Sequence, residues 1–278
     1  MSKTGNGKKK KKKVSASAAK SAATEVIIEK ADRVVEVDVE TAEKKHKVDE
    51  LDWGDLSEFG PILPFGTDML KEKPVYRFFK RFFDVVLSVF ALVVLSPILL
   101  LVALLIFLDD PHGSPIFIQK REGMNRKVFK LIKFRSMVVN AEALLEELRK
   151  KGVTIKDPKD PTYKMKDDPR ITRFGRVIRK TSIDELPQLI NIILGHMSIV
   201  GPRPPLTREV NEYNDFAMQR LLIRPGLTCI WQTTRNRDEV PFPEWMKMDI
   251  RYIHECSFLL DCKLMLKTFL IVFSANGN

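Results

Sequence analysis

A long apolar run with basic flanks constrains this chain more than any other feature. The run extends from Phe82 to Leu108, and Asp84 is its only charged residue. A helix of that length can cross a hydrocarbon core of about 30 Å, which is more than the core helix of a soluble protein usually needs. Lysines and arginines lie on both sides of the run. Because such residues mark the cytoplasmic side of a membrane segment, both ends carry the cytoplasmic signal.

Two topologies fit this segment. Pro97 lacks a backbone N–H and clashes with the preceding turn, so it bends a helix, and Ser96 can bond a carbonyl that the bend frees. A hairpin that enters one leaflet and returns is one solution. A single spanning helix with a tolerated proline kink is the other, and the residues alone leave both open. Arg81 and Asp84 are spaced so that they can meet on one helix face, or they form an ordinary flank whose side chains reach the headgroups.

The charge of the chain is uneven. The formal net charge is +11, and the first 20 residues contribute eight lysines and no acid. Such a tail is attracted to anionic lipid headgroups or nucleic acid, or it is merely solvated. We expect residues 1–75 to be a basic, disordered extension and linker. The histidines and cysteines have no metal-binding spacing, which argues against a zinc site.

The chain after the apolar run predicts an α+β domain that is mainly α. Residues 116–119 and 128–134 alternate like two short strands around a turn. Apolar periodicity then predicts five helices, over residues 141–151, 170–180, 187–194, 207–222 and 258–273. The predicted organisation is therefore a membrane segment over residues 76–112 and a domain with a short sheet over residues 113–278.

An adjacent pair of carboxylates, Asp184 and Glu185, is the strongest candidate for chemistry. It follows a predicted helix that is rich in arginine and lysine, and nearby cations keep carboxylates ionised. An ionised carboxylate can attack phosphorus when a divalent ion shields the charge. The alternative is helix-start chemistry, with Ser182 and Glu185 as a capping box and Asp184 as an N-cap. On spacing alone, the capping interpretation is favoured.

Two basic clusters change that balance. Lys133 and Arg135 flank a phenylalanine at the end of a predicted strand, and Arg203 lies between Pro202 and Pro204 on a stiff loop. Arginine binds phosphate oxygens bidentately, and a rigid loop loses little entropy when it does so. Together with the acid pair and the membrane segment, these residues predict a phosphate-bearing substrate at a bilayer surface.

From about residue 76 to residue 273 the chain resembles the bacterial sugar transferases, which are monotopic phosphoglycosyl transferases. The motifs that carry the resemblance are Lys80-Arg81-x-x-Asp84, Ser96-Pro97, Lys133-Phe134-Arg135-Ser136-Met137, Asp168-Pro169-Arg170-Ile171-Thr172, Thr181-Ser182-Ile183-Asp184-Glu185-Leu186-Pro187-Gln188, Gly201-Pro202-Arg203-Pro204, Arg224-Pro225-Gly226-Leu227-Thr228 and Asp249-x-x-Tyr252-Ile253. None of them is broken.

The resemblance implies a re-entrant membrane helix formed around Arg81, Asp84, Ser96 and Pro97. It implies transfer of a sugar-1-phosphate from a UDP-sugar to undecaprenyl phosphate, with release of UMP and with Mg²⁺ present. The enzyme would lie on the cytoplasmic face of the bacterial inner membrane and start exopolysaccharide, capsule or O-antigen assembly. The region around residues 224–232 favours a hexose, and a homodimer is compatible with the family.

The resemblance also assigns roles to residues. Asp184 matches the nucleophile that forms a covalent phospho-sugar intermediate, and Glu185 matches the partner acid that assists metal binding. Arg179 and Arg203 match phosphate- and nucleotide-binding positions, and Asp249 matches a further active-site acid.

One alternative belongs to another functional class. The lysine-rich tail and the amphipathic helices would also suit a membrane-attached basic scaffold or a nucleic-acid-binding protein without catalysis. The basic patches lack the aromatic residues on which single-stranded bases stack, so we expect no nucleic acid partner. A scaffold would also have no use for the Asp184–Glu185 pair.

Overall fold

The computed structural model describes residues 47–150, 168–234 and 239–273. Its helices are α1 (Pro74–Asp109), α2 (Ala141–Lys150), α3 (Arg173–Lys180), α4 (Gln188–Ile193), α5 (Thr207–Val210), α6 (Asp215–Met218), α7 (Phe242–Glu255) and α8 (Phe258–Phe273). Its strands are β1 (Ile116–Glu122), β2 (Val128–Phe134), β3 (Ser198–Val200) and β4 (Gly226–Thr228). Short 3₁₀ helices cover Lys47–Glu50, Ser57–Phe59, Met124–Arg126, Ile183–Glu185, Gln219–Leu222 and Trp231–Thr233. The prediction of a mainly helical protein with a small sheet is confirmed.

Helix α1 has an inside-out pattern of polarity. Lys80, Asp84 and Ser88, spaced four residues apart, are buried against the rest of the protein, whereas Phe82 and Phe90 on other faces are half exposed or more. Within the described ranges, α1 is the one helix whose length and composition suit a membrane span, and little of its apolar part is covered by protein. A wide exposed apolar surface of this kind marks a membrane-contacting segment. Pro97 lies inside α1, and the Ser96 hydroxyl donates to the Val93 carbonyl at 2.8 Å.

Charged residues near the start of α1 attach it to the domain. The Arg81 guanidinium donates to the carbonyls of Ile192 and Ile193 at 2.6 and 2.8 Å, which places a cation at the carboxyl end of α4. Asp84 accepts from the Ser198 hydroxyl and from the Ile199 N–H at 3.1 and 2.8 Å. The two side chains thus bond to the domain, rather than to each other as their spacing would allow.

Strands β1 and β2 form the predicted antiparallel hairpin. Ile116 lies opposite Phe134, and Phe117 lies opposite Lys133. The chain reverses between the strands at Asn125 and Arg126, whose φ angles are 55° and 58°. Asparagine tolerates this left-handed conformation better than most residues do.

A second, parallel pair of strands was not predicted. β3 lies beside β4, with Ser198 opposite Gly226 and Val200 opposite Thr228. The backbones approach so closely after β3 that a Cβ atom on Gly226 would lie 2.1 Å from the Gly201 nitrogen. Glycine at residue 226 is therefore a steric requirement of this strand pair.

The prediction of a single helix over residues 207–222 is wrong. The segment contains α5, then α6, then a 3₁₀ turn. Helix α5 ends at Val210, and Asn214, whose side chain accepts from the Ala217 N–H at 3.0 Å, starts α6 anew. Asparagine is favoured at such N-caps because it can satisfy a free N–H group, and this local preference overrides the apolar periodicity.

The largest core forms around α7 and includes residues that precede the membrane helix. Val48 is fully buried and Phe59 is 7% exposed. Trp53 and Phe59 pack edge-to-face on Phe216, with ring centroids 5.5 and 5.3 Å apart. Residues 47–73, which fall within the predicted extension and linker, thus contribute to the folded core, whereas residues 1–46 lie outside the described part.

The helix predicted over residues 258–273 is confirmed as α8, and it packs on the domain through a buried polar cluster. Lys80 pairs with Asp261 at 2.9 Å and also donates to the Val200 carbonyl at 2.9 Å. The hydroxyls of Tyr76 and Tyr252 donate to Asp261 at 2.8 and 2.7 Å. This cluster joins α1, α7, α8 and the end of β3, with every charge hydrogen-bonded as buried charges require.

Candidate active site

The acid pair lies on a single 3₁₀ turn. Ile183–Glu185 forms this turn between α3 and α4, and β2 packs against it. Asp184 is 9% exposed, and Glu185 is partly exposed and lines a cleft. Burial, followed by the charge of Glu185, raises the pKa of Asp184 to about 6.

The capping interpretation of the acid pair does not describe this turn. Ser182 precedes it with φ 56° and ψ 17°, and its side chain makes no capping hydrogen bond. Asp184 lies within the turn, whereas an N-cap residue would precede it. A left-handed serine costs free energy of about 1 kcal/mol or more, and such conformations concentrate at functional sites. The turn therefore holds the two carboxylates beside the cleft and is not simply the start of a helix.

Helix α3 leads directly into this turn and begins after the predicted residue 170. Thr172 is its N-cap and accepts from the Gly175 N–H at 2.9 Å. A Cβ atom on Gly175 would lie 2.1 Å from the Ser136 carbonyl oxygen, so only glycine permits this close docking onto the segment after β2. The last turn of α3 carries Arg179, which is exposed and contributes to the positive potential at Asp184.

The hairpin contributes two cations. Lys133 on β2 lies with its ammonium 5.3 Å from the ring centroid of Phe117, its cross-strand neighbour. Arg121 on β1 is 7% exposed and donates to the Pro204 carbonyl at 3.0 Å. Burial and the charge of Arg121 lower the pKa of Lys133 to about 8. Burial and the charge of Arg203 lower the pKa of Arg121 to about 10.

The loop after β3 holds Arg203 by its carbonyls. The carbonyls of Pro202, Arg203, Pro204 and Pro205 accept hydrogen bonds of 2.8–3.0 Å from four different donors. The donors are the Gly226 N–H, the Arg220 and Arg121 guanidiniums, and the Glu122 N–H. A proline-rich loop offers few N–H groups of its own, so its position is set by donors that reach its carbonyls.

These elements converge on one polar cleft. Its walls include Arg121, Lys133, Glu185, Gln188, Arg203, Pro204, Gly226 and Gln232. Asp184 lies close enough to raise the pKa of Lys133, whereas Arg203 and Arg179 act in the opposite direction. The cations lower one another's pKa because their charges repel. An anion bound between them would relieve this repulsion. The cleft can therefore bind phosphate groups next to an acidic side chain.

Two predicted site residues are engaged elsewhere. Arg135 is 7% exposed and pairs with Asp110, just after α1, at 2.6 Å; it also donates to the Gly113 carbonyl. Asp249 is 1% exposed and pairs with Arg220 at 2.7 Å. A direct contact of either residue with substrate stays a prediction, and their observed partners indicate support of the surrounding backbone.

Three polar side chains that line the cleft, those of Arg121, Gln188 and Gln232, were not among the predicted site residues. Arg121 is one of many cations after the apolar run and has no motif of its own. Gln188 ends the quoted Asp-Glu-Leu-Pro-Gln motif, so its proximity to the acids was a usable signal. Gln232 falls within residues 224–232, which the family resemblance linked to the sugar, whereas its place in the cleft follows from tertiary folding, since β4 and the following turn bring it there.

The chain is similar to known proteins over most of its length. The family model described as bacterial sugar transferase matches residues 75–275. The chain belongs to the bacterial sugar transferase family. This sugar transferase is 40% identical over 206 residues to the "Exopolysaccharide production protein ExoY" of Sinorhizobium fredii, which covers 74% of this chain and 90% of that protein.

Two longer relatives carry names that refer to galactose. The "Galactosyl transferase CpsE" of Streptococcus agalactiae is 38% identical over 71% of this chain and 43% of its own length. The "Undecaprenyl-phosphate galactose phosphotransferase" of Salmonella typhimurium is 37% identical over 72% of this chain and 42% of its own length. This sugar transferase thus spans nearly all of the rhizobial relative and less than half of the other two.

Proposed function

We propose that this protein transfers a sugar-1-phosphate from a UDP-sugar to undecaprenyl phosphate and releases UMP. The observation that carries the proposal is the cleft in which cations from β1, β2 and the loop after β3 face the Asp184–Glu185 turn. Phosphoryl transfer depends mainly on positioning and on neutralising charge, and this arrangement offers both. The name of the Salmonella typhimurium relative supports the same acceptor, undecaprenyl phosphate, and the transfer of a sugar phosphate. The product would start an exopolysaccharide, capsule or O-antigen chain.

Asp184 is the proposed nucleophile. One of its carboxylate oxygens bonds to the phosphorus that carries the sugar, and the bond from that phosphorus to the UMP oxygen breaks. The phospho-sugar is then held on Asp184 as an acyl phosphate. An oxygen of undecaprenyl phosphate attacks the same phosphorus and frees the carboxylate. Lys133, Arg179 and Arg203 stabilise the phosphate charge through both steps, because they converge on this turn.

Mg²⁺ fits the donor set at this turn. Asp184 and Glu185 provide two adjacent carboxylates, and the described residues contain no group of three or more metal-ligating side chains. Mg²⁺ is commonly held by one or two carboxylates together with substrate phosphates. When bound, it would neutralise phosphate charge and polarise the phosphoryl group.

Incubation with a panel of UDP-sugars tests the proposal. The full chain, in membranes with Mg²⁺ and polyprenyl phosphate, should release UMP from at least one UDP-hexose. Without polyprenyl phosphate, a radiolabelled sugar phosphate should remain attached to the wild-type protein and not to Asp184→Asn. Asp68→Asn is a matched control, because its exposed carboxylate pairs with Arg77 at 2.8 Å and does not line the cleft. Labelling of Asp184→Asn at the wild-type level would exclude the covalent mechanism.

We also propose that α1 is re-entrant. A straight helix of 36 residues would be about 54 Å long. Arg81 and Asp84 near its start contact the domain, and so does Asp109 at its end, which accepts from the Phe174 N–H at 3.2 Å. Contacts of both ends with one domain favour a return to the same face through a bend at Pro97 within this helix, because a spanning helix would separate its ends by the whole bilayer.

Labelling of single cysteines tests this topology. Cysteines introduced near residues 72 and 112, in a background without native cysteines, should both react from the cytoplasmic face only. A residue near position 72 that reacts from the opposite face would exclude the hairpin and leave a spanning anchor.

A further inference from the structure

We propose that Arg220 and Asp249 are positioning residues that hold Arg203 in place for the phosphate groups of the substrate. The inference rests on the proposed function, since that function makes Arg203 a phosphate ligand. It assigns a role to Arg220, which has no motif in the sequence. It also replaces a direct substrate contact of Asp249 with an indirect one.

The first observation is the hydrogen bond from Arg220 to the backbone of Arg203. One guanidinium nitrogen of Arg220 donates to the Arg203 carbonyl at 2.8 Å. The carbonyls of the flanking Pro202 and Pro204 are held by the Gly226 N–H and by Arg121. Arg203 thus lies at the centre of a segment that is fixed on both sides, and its own carbonyl depends on Arg220.

The second observation is the enclosure of Arg220. Its side chain is 1% exposed, as is that of Asp249, and the two pair at 2.7 Å. The other terminal nitrogen of Arg220 donates to the Tyr213 hydroxyl at 2.6 Å. Its guanidinium carbon lies 5.2 Å from the ring centroid of Trp245. Because the charge is enclosed, Arg220 cannot reach a substrate, and it acts through the groups that it bonds.

The third observation is a stack of rings between the two arginines. Trp245 stacks on Trp231 with centroids 4.5 Å apart and planes 23° from parallel. The Arg203 guanidinium carbon lies 6.0 Å from the ring centroid of Trp231. Arginine over a tryptophan face is attracted to the ring, so the stack orients the side chain of Arg203 while Arg220 fixes its backbone.

Asp249 orients Arg220 through their ion pair. It is buried within α7, and its ion pair keeps the Arg220 fork oriented toward the Arg203 carbonyl. Arg220→Lys would keep the charge but lose the planar fork that hydrogen-bonds Tyr213 and Arg203 while it lies 2.7 Å from Asp249. We therefore expect Arg220→Lys and Asp249→Asn to affect catalysis only insofar as Arg203 is displaced.

A double-mutant cycle tests this coupling in the full chain in membranes. UMP release gives kcat/KM for the UDP-sugar, and calorimetric titration gives the affinity for UDP. Arg203→Ala and Arg220→Lys should each lower kcat/KM and UDP affinity about tenfold, and the double variant should be no worse than Arg203→Ala, because coupled residues are not additive. Trp231→Leu, which leaves the Arg220–Asp249 pair intact, should likewise have no further effect in the Arg203→Ala background.

Arg251→Lys is the matched control. Arg251 lies on the same helix as Asp249, and it makes an exposed ion pair with Glu58. It should leave both measurements unchanged. Effects of Arg220→Lys and Trp231→Leu that multiply with that of Arg203→Ala would overturn the inference while leaving the proposed function in place. Coupled effects on UDP affinity, in a protein that releases no UMP, would support the inference and overturn the proposed function. Wild-type protein that binds no UDP would overturn both.

Discussion

Replacement of Phe59 by alanine should destabilise the whole catalytic domain, although Phe59 precedes the part that matches the family. The side chain is 7% exposed, packs edge-to-face on Phe216 at 5.3 Å, and lies under the Arg251 guanidinium at 5.9 Å. Truncation of a buried phenylalanine costs about 3–5 kcal/mol through lost burial and the cavity left behind. For a domain of this size, each kcal/mol lowers Tm by about 2–4 °C, so we expect a loss of about 10 °C.

Phe65→Ala is the matched control, because Phe65 lies six residues further along and is 53% exposed. Its Tm should stay within about 2 °C of the wild type, since exposed substitutions change stability by about 0.5 kcal/mol or less. Thermal melting of both variants, in the same detergent, measures the difference. A chain that begins at residue 74, and so lacks the core contacts of Val48 and Phe59, should melt well below the full chain. Equal melting of Phe59→Ala and Phe65→Ala would refute a structural role for residues 47–73.

Three other predictions follow from the geometry. Gly226→Ala should abolish most UMP release and lower Tm, because its Cβ would meet the Gly201 nitrogen at 2.1 Å and displace the strand pair; wild-type activity would contradict the close approach. Asp261→Leu should lower the free energy of unfolding by about 3–5 kcal/mol because it leaves Lys80 charged and unpaired, and the addition of Lys80→Met should restore much of the loss in a denaturant titration. If the single and double variants unfold alike, the pair is not coupled. Chelation with EDTA should stop UMP release by the wild type, and added Mg²⁺ should restore it. The reason is that Asp184 would attack the doubly charged diphosphate of the proposed UDP-sugar, whose charge a metal neutralises. Activity that persists in EDTA would remove the metal from the proposal.

The sequence was sufficient where local signals agreed with the fold. The alternation of residues 116–134 predicted the β1–β2 hairpin, and the apolar periodicity of residues 258–273 predicted α8. Prediction failed where one polar side chain overrode a longer pattern. Asn214 restarts the chain as α6 and breaks the continuous helix that the spacing of apolar residues indicated.

The parts of the site that depend on long-range pairing could not be predicted. β3 and β4 have three residues each, too few for a periodic signal, yet their pairing sets the position of the loop that carries Arg203. The burial of Asp249 against Arg220 is likewise a tertiary property. A family motif can indicate that an acid matters, but it does not distinguish contact with substrate from support of a residue that makes the contact.

The charged flank of the apolar run has a structural role that its sequence did not predict. Lysine and arginine beside a membrane segment suggest headgroup contact, but Lys80 and Asp84 turn toward the domain and hold the two ends of β3. Lys80 bonds the Val200 carbonyl, one residue before Gly201 and the loop that carries Arg203. Because these buried charges are satisfied only when α1 is docked, the membrane helix and the loop that carries Arg203 fold as one unit. Detachment of α1 should therefore disorder the active site, and the catalytic domain should not retain activity when it is separated from its membrane segment.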